Sequence, residues 1–484
     1  MSLEERVPAR AALILIVALA AVVRLVASRG DLWLDEIWTI NLAEQASSPL
    51  AILTEVRHDN NHVLNTFFVH LLRPFDSDWL YRLPAWIAGV ATVELGAWVA
   101  WLGDGRGEGA PDDPPRVRSV LAALLLGGSF LLILYGSEAR GYAFALCFGF
   151  VALGVALRDG VTAWSPRAPL YWLALVLAVL GHALAVHLFA ALIAWSTLRV
   201  GRARRGWRTT VTTLVWWHGV PALAYAAFYL GFLRLMTSGG GPRESALAPL
   251  ARVVSLATGL PAGGADLALV AGALGILALG LWWLARRGSD LWVLYAIGIA
   301  GSPAALWLLK PTDVYFERYF LVSAALWLLL AARLLGSLAT RERAAIACAA
   351  ILAAFVIGNA VRVEQLLRDQ RGHYRDALRY IADHTDVSGT ITVGSDQDFR
   401  NGTLVTYFAP RVGGPARIRY VARKDLAPTG TDWYIVHRLT AGNEPPGIVA
   451  DARRNRYRFE AHFAATPPSA IHWFVYQRLG GPGG

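Results

Sequence analysis

Runs of about 20 consecutive apolar residues recur along this chain, and a run of that length is what a helix needs to cross a hydrocarbon core of about 30 Å. About eleven such segments are legible: 10–28, 80–102, 119–135, 141–157, 170–182, 184–199, 211–233, 265–285, 291–309, 319–336 and 344–361. The pair 170–199 also reads as one kinked helix. Of 484 residues, 55% are hydrophobic and only 17% charged, against roughly 25% charged in soluble domains. Mean hydropathy is +0.42. These values exclude disorder, collagen and a small disulfide-stapled scaffold. The expected fold is a polytopic α-helical membrane protein.

Net charge is +10, and Lys310 and Lys424 are the only lysines among 45 basic residues. In a membrane chain such a balance reads first as topology and headgroup contact. A nucleic-acid partner would need a concentrated basic face with interleaved aromatics, and the sequence has none. Cys147 and Cys348 both lie in apolar segments, so neither a disulfide framework nor a thiolate metal site is expected.

Alternating the segments from a cytoplasmic N-terminus puts the arginine-dense stretch around Arg202, Arg204 and Arg205 inside, with the other short arginine-rich connections. Longer, less basic loops then fall outside, as the positive-inside rule requires. The first run lacks a small-residue cleavage site and is interrupted by Arg24, so it reads as a signal anchor whose arginine snorkels or points into a polar cavity.

After residue 362 the apolar runs stop. YRDALRYIADH (374–384) has helical periodicity, while TITVG (390–394), RIRYVA (417–422), DWYIVH (432–437), YRFEAHF (457–463) and IHWFVYQ (471–477) read as strands. The expected organisation is a transmembrane domain, 1–362, followed by a soluble extracytoplasmic (periplasmic) α/β domain, 363–484.

The outer loop 29–79 carries most of the candidate chemistry. Asp35 and Glu36 follow the first span directly. Such a pair is either a helix-start pair favoured by the helix dipole or a carboxylate held near the membrane as general base. His58, Asp59 and His62 precede the short apolar stretch 63–75, read as a helix at the membrane surface. His58 and His62 have the i, i+4 spacing of a helical metal pair, but substrate-positioning histidines fit better and no metal is assigned.

Glu138, Arg140 and Tyr142 mark the next outer turn, and His182 and His187 the one after. Lys310, Asp313, Tyr315, Glu317, Arg318 and Tyr319 follow in LLKPTDVYFERYF. A guanidinium grips phosphate oxygens bidentately, so several such loops on one membrane face suit an anionic, lipid-borne substrate. Glu94 and Trp216-Trp217-His218 lie within spans and read as packed in the bundle.

The order of these features resembles a known family. It runs DLWLDEIWT after the first span, Asp59-x-x-His62 before a short apolar helix, RLP opening the second span, then SEARGYA and ERYFL. Together they resemble the GT-C membrane glycosyltransferases, and within them the bacterial enzymes similar to protein O-mannosyltransferases and the aminoarabinose transferase of lipid A. The resemblance covers about residues 10–340 in layout, and order rather than any single motif carries it. It departs from the family at His62-Val63-Leu64, where His-Pro-Pro-Leu is frequent, and in lacking a clear D-x-D pair.

The resemblance implies a GT-C fold and transfer of a sugar, with inversion, from a polyprenyl-phosphate donor to a glycan, lipid or protein acceptor at the outer face of a bacterial inner membrane. No cofactor is expected, and the lack of a D-x-D pair makes a divalent metal the less favoured alternative. By position, Asp35 and Glu36 would be the catalytic carboxylates, and His58, Asp59 and His62 the acceptor-side loop. Arg140, Tyr142, Lys310, Tyr315 and Arg318 would hold the donor phosphate. Other readings are an oligosaccharide polymerase or ligase and, from another class, a transporter or flippase. The absence of paired, broken half-repeats disfavours the transporter.

Overall fold

The computed structural model describes residues 3–103, 114–161, 164–203, 206–236, 245–309, 315–385, 389–413, 417–439, 446–469 and 471–480. The chain forms two compact units. One comprises 1–28, 43–75 and 80–362; the other comprises 29–42, 76–79 and 363–484. Most of the loop 29–79 therefore belongs to the first unit, but its opening residues, Asp35 and Glu36 included, fold with the C-terminal residues.

The first unit is helical. Among the described residues, seven helical stretches are long and apolar enough to cross a membrane. They are Ala9–Ala27, Asp78–Leu102, Tyr142–Asp159, Asp266–Arg286, Leu291–Leu309, Glu317–Ala339 and the stretch opening at Glu342. This is a polytopic α-helical membrane protein. Ile14, Leu15, Leu267, Leu274, Ile346 and Ile357 are all exposed. Side chains of that kind on one helix after another suit lipid, where burial brings no hydrophobic gain. Helix contacts lean instead on small residues that let backbones approach: Ala20, Val93, Ala97 and Ala123 form one cluster, and Ala85, Ala88, Ala143 and Phe144 another.

Four of the eleven expected crossings differ from this set. The segments read at 170–182, 184–199 and 211–233 are helices Ala168–Gly181, Ala185–Arg202 and Trp207–Gly231. The first is short, and the other two carry polar residues such as His187, Ser196, Arg199, Thr213 and His218. The segment 119–135 is two helices, Pro115–Gly128 and Phe130–Tyr135, with Ser129 extended between them (φ −66°, ψ 121°). A break inside an apolar segment strands backbone groups. Here Arg24, 1% exposed, donates to the carbonyls of Gly127 (3.0 Å) and Leu126 (3.1 Å), and the Asn359 side-chain oxygen accepts from Phe130 N–H (2.7 Å). Arg24 is thus inside the bundle rather than snorkelling.

The second unit holds a six-stranded sheet. The strands are β1 (Thr390–Ser395), β2 (Arg417–Tyr420), β3 (Trp433–Arg438), β4 (Ile448–Ala450), β5 (Arg456–Phe463) and β6 (His472–Arg478), in the order β2-β1-β3-β6-β5-β4. β2, β1 and β3 are parallel, and the remaining pairs antiparallel. The five expected strands are present within a residue or two. Strand β4 and the helix Asp398–Phe408 add to the expected elements. That helix is the crossover which a parallel β1–β2 pair requires. Tyr434, Val436, Tyr457, Phe474 and Tyr476 form one core cluster. Tyr374 packs on Phe408 and Trp473 at ring distances of 5.7 and 4.9 Å.

The two non-contiguous pieces are tied into this unit by polar contacts. Asp31 accepts from the Arg375 backbone N–H at 2.8 Å, Asp78 pairs with Arg375 and takes the Tyr407 hydroxyl at 3.0 Å, and Arg411 reaches Asp76 at 2.7 Å.

Candidate active site

In the second unit, Asp35 and Glu36 occupy the first turn of the helix Leu34–Gln45. Glu36 is fully buried, and its carboxylate accepts the Trp33 backbone N–H at 3.1 Å. That is the returning half of a capping box, the third helical residue satisfying a donor the helix start leaves open. The pair is thus differentiated by structure. Glu36 serves the helix start, whereas Asp35, half-buried, takes no part in that cap.

In the first unit, four turns far apart in sequence converge. Residues 58–62 form a non-helical turn, with His62 at φ −82°, ψ 90° just before the helix Val63–Leu72. The helical i, i+4 relation expected for His58 and His62 is therefore absent. His58 faces Asp59 at 3.1 Å instead, and Asp59 is partly exposed. His62 turns inward, where its Nδ1 accepts the Gly141 N–H at 3.0 Å. The remaining proton of the neutral ring sits on Nε2.

Gly141 is required by this approach. A Cβ there would stand 1.8 Å from the Gly181 carbonyl oxygen and 2.8 Å from His62 Cβ. The contact brings in the turn at His182, whose ring lies 4.6 Å from His62 and stacks on Tyr142 at 4.5 Å. Arg140 is buried, with its guanidinium 5.0 Å from the Tyr142 ring centre and donating to the Asn60 side chain at 2.8 Å. The fourth turn supplies Arg318, which lies over Phe316 at 3.9 Å, while its neighbour Glu317 pairs with Arg252.

Electrostatics unify the cluster. The His62 pKa is held well below the ordinary imidazole range, first by burial and then by the fields of His182, Arg140 and Arg318. Neutral imidazole N–H groups, a buried guanidinium and a second, half-buried one thus share one place in the fold. Such a set can stabilise an anion, and its donors suit phosphate oxygens.

Among the expected site residues, His62, Arg140, Tyr142 and Arg318 come together here. His58 and Asp59 belong to the same turn, where His58 Nδ1 accepts the Asn60 backbone N–H at 3.0 Å. Tyr315 is buried next to this segment. Lys310 lies outside the described residues. Asn60 and His182 were not assigned a role from sequence; an outer turn carrying a histidine, as Gly181-His182 does, was the available signal. Among the described residues, no group of three or more His, Cys, Asp or Glu side chains is placed to hold a metal ion.

No known family's sequence model matches the chain, and no curated protein matches it. Among solved structures, the chain is similar to the crystal structure of ArnT from Cupriavidus metallidurans in the apo state, with 13% identity and a TM-score of 0.48 over 96% of this chain and 97% of that one. It is also similar to the crystal structure of the same protein bound to undecaprenyl phosphate, with 13% identity and a TM-score of 0.48 over 97% and 98%.

Proposed function

We propose that the chain is an inverting glycosyltransferase of the GT-C type, moving a sugar from a polyprenyl-phosphate donor to an acceptor at the outer face of a bacterial inner membrane. The observation that carries this reading is the convergence of Arg140, His62, Tyr142, His182 and Arg318 among membrane helices. A buried cationic and N–H-donating site beside lipid suits the phosphate of a lipid-linked sugar. Asp35 is the general base in this reading, and Glu36 keeps its helix start in place.

In the reaction, the anomeric carbon–phosphate oxygen bond breaks and its electron pair leaves on the lipid phosphate. Arg140 and Arg318 meet the charge that develops there. A hydroxyl acceptor attacks the anomeric carbon from the opposite side and gives its proton to the Asp35 carboxylate. His58 and Asp59 line the acceptor side.

The same reading takes about eleven crossings, the short and polar helices included, with a cytoplasmic N-terminus and a periplasmic C-terminal domain from about residue 363. The excess of arginine on the short connections supports that orientation.

The test uses purified wild type and Asp35→Asn in nanodiscs, with labelled polyprenyl-phosphate monosaccharides and a cell-envelope extract. Release of label by the wild type and not by the variant is the expected result. No release from any donor by well-folded wild type overturns the reaction class, and full activity in Asp35→Asn overturns the base.

A further inference from the structure

The helix that carries Asp35 packs against the helix that carries Arg400. The aromatic pair Trp38–Phe399, 4.2 Å between ring centres, joins the helix Leu34–Gln45 to the helix Asp398–Phe408. Asp35 is three residues before Trp38 and so lies on the same side of its helix. Arg400 immediately follows Phe399. Upstream, Asp31 takes the Arg375 backbone N–H, and the side chain of Gln370 fills the space where a Cβ of Gly30 (φ +87°) would stand. The segment carrying Asp35 is therefore fixed on both sides.

Arg400 is anchored from behind. Its Nη1 lies 3.0 Å from His437 Nε2, and His437 Nδ1 lies 2.9 Å from the Asp396 carboxylate. Asp396 also accepts the His437 backbone N–H and the Asn401 side-chain amide, both at 3.2 Å. A carboxylate beside Nδ1 fixes the ring proton there and leaves the Nε2 lone pair to accept from the guanidinium. This relay sits at the carboxyl ends of β1 and β3. In the parallel order β2-β1-β3, that is where the connections pass to opposite sides of β1. Burial lowers the Arg400 pKa, and the charges of Asp35 and Asp396 oppose that shift without overcoming it.

We propose that Arg400, oriented by His437 and Asp396, is a positioning residue for Asp35. This rests on Asp35 being the general base. Arg400 keeps the Asp35 carboxylate aimed while it waits for the acceptor proton. It is asked to touch neither donor nor acceptor. Its loss therefore falls on kcat, with the donor KM preserved.

The experiment measures donor turnover for wild type, Asp35→Asn, Arg400→Gln, Arg400→Lys, His437→Phe and the Asp35→Asn/Arg400→Gln double variant in nanodiscs, with thermal melting of each. Arg400→Gln is expected to lower kcat by about tenfold or more, with donor KM within about twofold. Arg400→Lys, which keeps the charge, recovers part of the loss. His437→Phe lowers kcat in the same direction. The double variant is no slower than Asp35→Asn alone, because Arg400 acts through Asp35.

Wild-type kcat in Arg400→Gln overturns the proposal. So does a loss that Lys does not relieve, or one that adds in full to that of Asp35→Asn. If Arg400→Gln melts below the assay temperature, the Lys and His437→Phe variants decide, and wild-type kcat in both overturns it. An inactive Asp35→Asn beside a fully active Arg400→Gln sinks this inference alone, whereas an active Asp35→Asn sinks the base on which it rests.

Discussion

The backbone N–H of Gly141 donates to Nδ1 of His62 at 3.0 Å, joining two turns 79 residues apart. This bond sets the tautomer of a buried histidine and draws the turn at Arg140 into the same place. Gly141 allows it because nothing larger than hydrogen fits between its Cα and the Gly181 carbonyl. Gly141→Ala should therefore destabilise the first unit by about 2 kcal/mol or more and lower donor turnover, by forcing these turns apart. Thermal melting in detergent and the donor-release assay check both effects.

The depressed pKa of His62 has a sign consequence for stability. Above the ordinary imidazole pKa of about 6.5 both folded and unfolded states are neutral, and the group contributes no pH dependence. As pH falls below that value the unfolded state binds a proton that the folded state refuses, so stability is lost progressively. Melting of the wild type should fall between pH 7.5 and pH 5. His62→Asn, which keeps an acceptor for Gly141 but does not titrate, should fall less steeply over the same window.

Asp35 and Glu36 should separate cleanly. Asp35→Asn removes the proton acceptor and is expected to lower turnover by about 10²–10⁴-fold while leaving melting unchanged. Glu36→Gln keeps an oxygen for the Trp33 N–H and should retain activity within several-fold. Glu36→Ala should cost about 1 kcal/mol of stability as a lost cap. Turnover and melting of the three variants, side by side, test the assignment.

Arg318→Ala should raise the donor KM more than the acceptor KM, because a cation meeting the phosphate acts on the donor alone. Arg140→Lys should also weaken the donor, since an ammonium cannot hold Asn60 and a phosphate with the same planar fork. Initial rates over donor and acceptor concentrations measure the split. An equal rise in both KM values for Arg318→Ala would place it away from the donor.

Arg24 and Asn359 should matter for stability. Arg24→Leu leaves the Leu126 and Gly127 carbonyls buried without their donors and is expected to cost about 2–4 kcal/mol. Asn359→Leu strands the Phe130 N–H and should act in the same direction. Melting of each variant in detergent tests this.

The membrane-spanning character and the C-terminal strands were legible in the chain itself. An apolar run long enough to cross a bilayer is a local property, as is the alternation in YRFEAHF or DWYIVH, and each is read within 20 residues. Local pattern fails where a distant group satisfies what the local chain leaves open. The apolar segment 119–135 reads as one helix, but Arg24 and Asn359, far away in sequence, make a break at Ser129 tolerable. The spacing of His58 and His62 fits a helical pair, but a turn ending in Gly141's hydrogen bond separates them. Asp35 and Glu36 are neighbours of equal chemistry in sequence, and only the folded helix start gives Glu36 the Trp33 N–H. Composition and periodicity, acting over a few turns, are enough to put the chain in a membrane and to mark the C-terminal strands. Which polar side chains meet, and that Asp35 folds with residues 363–484, came only from the folded chain, because those contacts span hundreds of residues and depend on packing that no local pattern encodes.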